Sequence, residues 1–334
     1  MKKTALTFAS SDAAIKTDEL VRCAEGWLLD GDIRLHSRST HELRRHILCK
    51  LEWFLTGRGF TTCGLYELRQ FFAYLTRGHE DKGGRWQNAQ LKQPARPQTV
   101  HTYYSHLRTF FRWLVSEGII ERSPVEAIAP PIARTDQILP FSEPQVASLL
   151  QAAKRSHHAR RDEAIVLMLL DTGMRASELC TLRFTDLDMQ TKRCTVLGKG
   201  NKHRSVYFGR TTAKALWQYL RLEDRDSIDP LFLSDRGHGA GEALTRSGLL
   251  QLIRRLGKAA SIDAARCSPH TFRHTFAVTF LRNGGNVFTL MQLLGHTSLT
   301  MTNRYVALAQ ADMENQHRLC SPVDHLRKAT GGRS

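Results

Sequence analysis

The chain has 334 residues, with 48 Lys and Arg against 32 Asp and Glu, giving a formal net charge of +16. That length suits a buried core and two domains, while 41% hydrophobic and 24% charged residues exclude wholesale disorder. No apolar run approaches the roughly 20 residues needed to span a bilayer, and the positive excess points to a polyanionic partner, nucleic acid or an anionic membrane surface.

The start, Met1-Lys2-Lys3 followed by Thr4 to Ala9, imitates a signal peptide. Its apolar stretch is too short, and Asp12, Lys16, Asp18 and Glu19 follow at once, so residues 1–16 read as a short leader. Residues 17–128 read as a helical domain, with no strand expected before 120. A helix over about 40–56 is expected to bury Leu43, Ile47, Leu51 and Phe54 and to expose Arg44 and Arg45. Residues 78–98, rich in Gly, Gln, Lys and Arg, read as a basic loop. The clearest helix covers about 99–116, with Val100, Tyr103, Tyr104, Leu107, Phe110, Phe111 and Leu114 on its apolar face. His101, Thr102, Ser105, Arg108 and Arg112 lie on the other face. Pro124, Pro130, Pro131 and Pro140 then punctuate the chain, and an interdomain linker is placed at 129–141.

The second domain, 142–311, opens on a capping signal, Ser142 and Gln145, before a helix ending near Lys154. Residues 164–170 are apolar all round, so that helix is buried, and Gly173 stops it. Arg193–Leu197 and His203–Phe208 flank Gly198-Lys199-Gly200-Asn201-Lys202, a β-hairpin with a cationic tip. Helices follow at about 211–223, 245–257, 270–282, 286–293 and 298–311, and 312–334 form a tail. Charge is uneven: residues 101–150 hold four basic and five acidic side chains, residues 251–300 six and one. The seven cysteines are odd in number and scattered, with no CxxC pair. Neither a disulfide framework nor a zinc knuckle is indicated, and a reduced, cytoplasmic protein is expected.

Five local signals could carry chemistry. Arg175 follows a helix-ending glycine, with Glu178 three residues on to orient its guanidinium. Lys199 sits at the hairpin tip. His270 and Arg273 share one helical face at i,i+3. His270 and His274 form an H-x-x-x-H pair, but Thr271 stands where a metalloprotease needs Glu and no third ligand follows, so no metal is expected. His296 follows Leu294-Gly295, and Tyr305 comes nine residues later. Taken singly, each has a bland reading as a solvated cation or a packed ring.

In this order, the set Arg175, Lys199, His270, Arg273, His296 and Tyr305 resembles the active site of the tyrosine recombinases, the lambda-integrase and Xer-type family. The local text agrees: TGMRASEL, LGKGNKHRSVY, SPHTFRHTFA and LLGHTSLTMTNRY. The resemblance covers roughly residues 17–325, and all six positions match. Residues 1–16 are too short for the arm-binding domain of some phage integrases, and the interval from Lys199 to His270 lacks the insertion of integron integrases. The resemblance implies a mainly α fold with a small β-hairpin, in which a helical core-binding domain and a catalytic domain clamp DNA.

It also implies a site-specific recombinase or integrase that cuts and rejoins strands through a 3′-phosphotyrosine formed by Tyr305. One phosphodiester-type bond replaces another, so no ATP, metal or other cofactor is expected. Arg175 and Arg273 would offer paired donors to the non-bridging phosphate oxygens. His270, titrating nearest neutrality, is the natural acceptor of the tyrosine proton. By the resemblance, Lys199 protonates the leaving 5′-oxygen, His296 hydrogen-bonds the phosphate, and Glu178 supports Arg175. Expected DNA contacts are Arg44, Arg45, Thr102, Ser105 and Arg108 from the first domain and Lys202, Arg204, Thr245 and Arg246 from the second. Thr245 and Arg246 open a helix, where backbone N–H groups favour phosphate. The expected partner is double-stranded DNA carrying paired half-sites. Four protomers would assemble at synapsis, with the tail docking on a neighbouring protomer and no membrane involved. A type IB topoisomerase and a non-cleaving regulator are the alternatives. The LGH-to-Tyr spacing and helical first half weigh against the former, intact Tyr305 and Lys199 against the latter.

Overall fold

In the computed structural model, residues 14–79, 83–132, 139–198, 203–221, 229–234, 241–296 and 298–309, with 317, 321 and 323, are described. Among the described residues the fold is mainly helical with two small sheets, and the chain divides into two compact units, Met1–Asp136 and Gln137–Ser334. Among the described residues no helix is long and apolar enough to cross a membrane.

The first unit holds β1 (Ile15–Lys16), α1 (Thr17–Ile33), α2 (Arg38–Gly57), β2 (Thr62–Cys63), α3 (Leu65–Thr76) and α4 (Pro97–Ser116). All seven apolar residues of the α4 stripe are buried, and Pro97 stands in the first turn, where its missing N–H costs nothing. In α2 the buried positions are Arg44, Ile47, Leu48, Leu51, Phe54 and Leu55. Ile47, Leu51 and Phe54 are buried as expected, and the stripe departs from the expected one only in the first turns, where Leu43 faces outward and Arg44 inward. The tolerated turn is that of a cation over an aromatic face: the Arg44 guanidinium lies 4.1 Å from the Trp27 ring centroid.

Two departures from the sequence reading concern short elements. Ile15 and Lys16, assigned to the leader, pair antiparallel with Cys63 and Thr62, and Ile15 is buried. A two-residue strand gives no alternation to read. The expected basic loop contains a short 3₁₀ turn, Arg85–Gln87, that packs inward. Trp86 sits among Trp53, Phe71, Tyr74 and Tyr103, and its backbone N–H donates to Tyr74 Oη.

The second unit holds α5 (Glu143–Lys154), α6 (Ala159–Thr172), α7 (Ala176–Thr181), β3 (Leu187–Asp188), β4 (Arg193–Leu197), β5 (His203–Tyr207), α8 (Arg210–Leu220), α9 (Arg246–Ala259), α10 (Pro269–Arg282), α11 (Val287–Leu294) and α12 (Leu299–Ala309). The Ser142–Gln145 capping box opens α5 as expected. Phe141, assigned to the linker, is buried here and donates its N–H to Thr275 Oγ1. Helix α6 runs through the core, with Ala164, Ile165, Val166, Met168 and Leu169 all buried. The hairpin β4–β5 pairs Val196 with Arg204, and β3, not foreseen, adds a third strand beside β4. Its tip, residues 199–202, lies outside the described residues.

Candidate active site

The site is assembled where α6 ends, α7 begins and α11 stops. Gly173 closes α6 at φ +59°, a left-handed conformation in which a Cβ would lie 2.3 Å from the Phe276 ring. The chain then turns directly into α7, with Arg175 as its N-cap residue. Glu178, three residues on, accepts the Arg175 backbone N–H at 2.7 Å and the Arg175 Nη1 at 2.9 Å. A capping carboxylate thereby also fixes the guanidinium. Glu178 is almost fully buried, and Arg204 from β5 donates to both of its oxygens. Burial pushes the Glu178 carboxyl up. The Arg204 and Arg175 hydrogen bonds outweigh it and hold the group below the usual carboxylate range.

Three guanidiniums meet the C-terminus of α11. Arg204 Nε donates to Leu293 O at 2.9 Å, Arg273 Nη2 to Leu294 O at 2.6 Å, and Arg175 Nη2 to Gly295 O at 3.3 Å. Helix-terminal carbonyls lack intrahelical donors and carry the negative end of the dipole, so they stabilise a cluster of cations. Arg273 also donates Nη1 to Gly173 O at 2.8 Å. Buried, and with Arg175 as the leading like charge, Arg273 is pulled down to about 10 and remains a cation at neutral pH.

Just past this terminus, His296 Nδ1 lies 2.8 Å from the buried Thr302 Oγ1, and its ring is nearly parallel to that of Tyr305, 6.2 Å away. Burial and then Arg273, Arg175, Arg304 and Arg204 lower His296 to about 4, so it is neutral at pH 7. Tyr305 is fully buried, in a cluster with Val278, Leu281, Leu290 and Leu294. Its Oη receives a hydrogen bond from Arg304 Nη2 at 3.2 Å and lies 2.8 Å from His274 Nδ1. His270, expected to face the phenol, is not among the described hydrogen-bond partners of Tyr305. It stands one helical turn away and is lowered by partial burial, then by Arg273, Arg175 and Arg304. Of the six motif positions, five converge in this unit, and Lys199 lies outside the described residues.

The residues expected to meet a polyanion separate into three groups. Arg44 and Arg204 are not available: the first is buried under Trp27 and the second is consumed by Glu178 and Leu293 O. Arg108 donates to both oxygens of Glu126, which also takes Arg112, so two exposed cations share one carboxylate and the trio keeps a positive charge. Arg45, Thr245 and Arg246 are exposed, Thr102 and Ser105 half-buried, and Lys202 lies outside the described residues. Thr245 caps α9 through the Gly248 N–H. The sequence reading missed His274 and Arg304 as neighbours of the phenol. His274 registered only as half of a metal pair, although its i,i+4 offset from His270 placed both on one face of α10.

Residues 141–312 match the Phage integrase family. The Listeria innocua tyrosine recombinase XerD is 31% identical over 69% of this chain and 78% of its own length. XerC of Pediococcus pentosaceus is 31% identical over 65% and 74%. Among solved structures, the Tn1549 transposon integrase in complex with a circular intermediate DNA superposes with a TM-score of 0.69 at 19% identity, covering 90% of this chain and 99% of that one. XerH bound to palindromic difH substrate gives 0.62 at 16% identity, covering 95% and 92%. At these identities the two structures speak to the fold.

Proposed function

Because the chain belongs to the phage integrase family, as a tyrosine recombinase similar to the Xer enzymes, we propose that Tyr305 is the nucleophile of its DNA cleavage and rejoining. The enzyme is a site-specific recombinase and its partner is DNA. The observation that carries the assignment is the convergence of Arg175, Arg273, His296 and Tyr305 around the end of α11.

Attack by Tyr305 Oη on the scissile phosphorus forms a 3′-phosphotyrosine and releases a 5′-hydroxyl, and attack by a 5′-hydroxyl from another strand reverses the step. Arg175 and Arg273 retain N–H groups beyond those given to Glu178, Gly173, Leu294 and Gly295, and direct them to the non-bridging oxygens. His296 is neutral, with Nδ1 engaged by Thr302, and presents Nε2 to the phosphate. His270 faces the same arginines and serves the phosphate, while Lys199 protonates the leaving oxygen. Arg45, Thr102, Ser105, Lys202, Thr245 and Arg246 contact the duplex, so that both units contribute to binding.

Four protomers act on paired half-sites, each lending its tail to a neighbour. An apolar groove of about 480 Å³ between α5, α6 and α10, lined by Phe141, Val146, Leu150, Leu170, Phe276 and Phe280, fits a segment bearing Met313, Leu319, Val323 and Leu326. Truncation after Ala311 is expected to leave single half-site binding intact and abolish cooperative filling of paired half-sites. Unchanged cooperativity counts against tail exchange. The core assignment is tested with a nicked half-site from which the 5′ fragment diffuses away. A covalent adduct mapping to the Tyr305 peptide supports it, and an adduct on Tyr103, Tyr104 or Tyr207 overturns it.

A further inference from the structure

Tyr305 is 0% exposed in the DNA-free chain, so its hydroxyl is held by groups of the protein and not by bulk water. A buried tyrosine hydroxyl also needs an acceptor for its O–H. Arg304 can only donate, and its Nη2 already does so to Oη. The acceptor within reach among the described residues is His274 Nδ1, at 2.8 Å. With the phenol O–H donating to Nδ1, the ring proton of His274 is assigned to Nε2. The same helix carries His270 one turn earlier, and no described hydrogen bond joins that ring to the phenol.

Resting on the assignment of Tyr305 as nucleophile, we propose that His274 is the catalytic acceptor of its proton. During cleavage the Oη–H bond breaks and the proton moves to His274 Nδ1. The Oη–P bond forms, the P–O5′ bond breaks, and O5′ takes a proton from the general acid. Rejoining returns the His274 proton to Oη as the P–Oη bond breaks. His270, freed from this duty, acts at the phosphate.

The surroundings give the step its timing. Burial first, then Arg304, His270 and Arg273, lower His274 to about 4 in the free protein. The imidazole is therefore neutral and able to accept, but a weak base. An anionic phosphate beside Arg273 offsets the neighbouring positive charge and so raises the basicity of His274 when DNA arrives. The phenol stays protonated until the substrate is in place.

The test uses the full chain and the nicked half-site, reading the single-turnover rate of adduct formation. Asn at position 274 places an amide oxygen where Nδ1 stood, keeping an acceptor while removing the basicity. His274→Asn is expected to bind the half-site normally and to form adduct about 10²-fold more slowly or worse. Ring-fluorinated tyrosine at position 305, whose phenol is more acidic, is expected to narrow that gap at least about tenfold. The same fluorination leaves the His270→Asn defect unchanged. A native rate in His274→Asn, or a gap indifferent to fluorination, overturns the proposal. Should His274→Asn fail to bind DNA, His274→Gln is carried through the same comparison. Adduct formation by Tyr305→Phe would instead overturn the nucleophile assignment itself, a separate result.

Discussion

Arg204 and Glu178 meet through both terminal nitrogens and both carboxylate oxygens, and this pair, not a surface contact, is the work of the arginine on β5. Glu178 has 1% of its side chain exposed and Arg204 13%. Arg204→Met therefore leaves a buried carboxylate with Arg175 alone, at an expected cost of about 3–5 kcal/mol. Urea denaturation measures it. Because the penalty belongs to the stranded charge, adding Glu178→Leu is expected to recover part of the stability while leaving cleavage impaired. A stability loss below about 1 kcal/mol in the single variant contradicts this account.

The two histidines beside Tyr305 make the fold sensitive to acid. His274 and His296 titrate near 4 in the folded chain and near 6.5 unfolded. Protons thus bind the unfolded state first, and stability falls as pH drops from about 6.5 toward 4. Below the ordinary carboxylate range Glu178 adds its own loss in the same direction. His296→Gln is expected to flatten the decline between pH 6.5 and 4, as read from denaturation midpoints. A slope identical to that of the unaltered chain speaks against a depressed His296.

Tyr305→Phe removes one hydroxyl from a buried site while leaving the ring in its cluster. DNA affinity is expected to stay within about twofold and folding stability within about 1.5 kcal/mol. Adduct formation and recombination fall to background. Gel shift and denaturing electrophoresis separate the two effects.

Gly173→Ala places a methyl into the Phe276 ring at a backbone angle of +59°. The expected destabilisation is about 1–3 kcal/mol from the backbone alone, with the ring displacement in addition. Because Gly173 O holds Arg273, cleavage should drop by more than the unfolded fraction explains. Full specific activity in the folded fraction would show that the carbonyl has latitude to move.

Half-site affinity should fall steeply with salt. Six to ten neutralised phosphates weaken binding by about 10³–10⁵ between roughly 50 and 200 mM. Arg44→Gln is expected to leave that slope unchanged, since Arg44 lies under Trp27, and Arg246→Gln to reduce it by about one unit. Equal slopes for all three chains would remove Arg246 from the interface.

What the sequence discloses is periodic or local. The α4 stripe, the Ser142 cap, the buried α6 and the β4–β5 hairpin each carry a pattern within one element. Arg175, Arg273, His296 and Tyr305 are gathered differently, by the order and local text of motifs that resemble a known family, since no pattern within one element joins them. The fate of Arg44 and Arg204 was hidden for one reason: a cation's partner, Trp27 in one case and Glu178 in the other, lies on a different element. Charge alone cannot distinguish a side chain that meets solvent from one that meets a buried carboxylate. Register adds to this in α2, where Leu43 and Arg44 compete for adjacent angles and Trp27 decides between them.

The three guanidiniums at the end of α11 are held by main-chain oxygens of Leu293, Leu294 and Gly295. Such acceptors have no codon of their own. Exchanging Leu293 for another helix-forming residue changes a side chain and leaves the carbonyl where it was, so this anchor is insulated from most point mutations of the segment that supplies it. Vulnerability is displaced onto whatever governs the path of the backbone, above all the left-handed turn at Gly295, whose φ is +63°. Drift in the helix and constancy of the three anchored guanidiniums can then coexist, with a single glycine as the point where the two are joined.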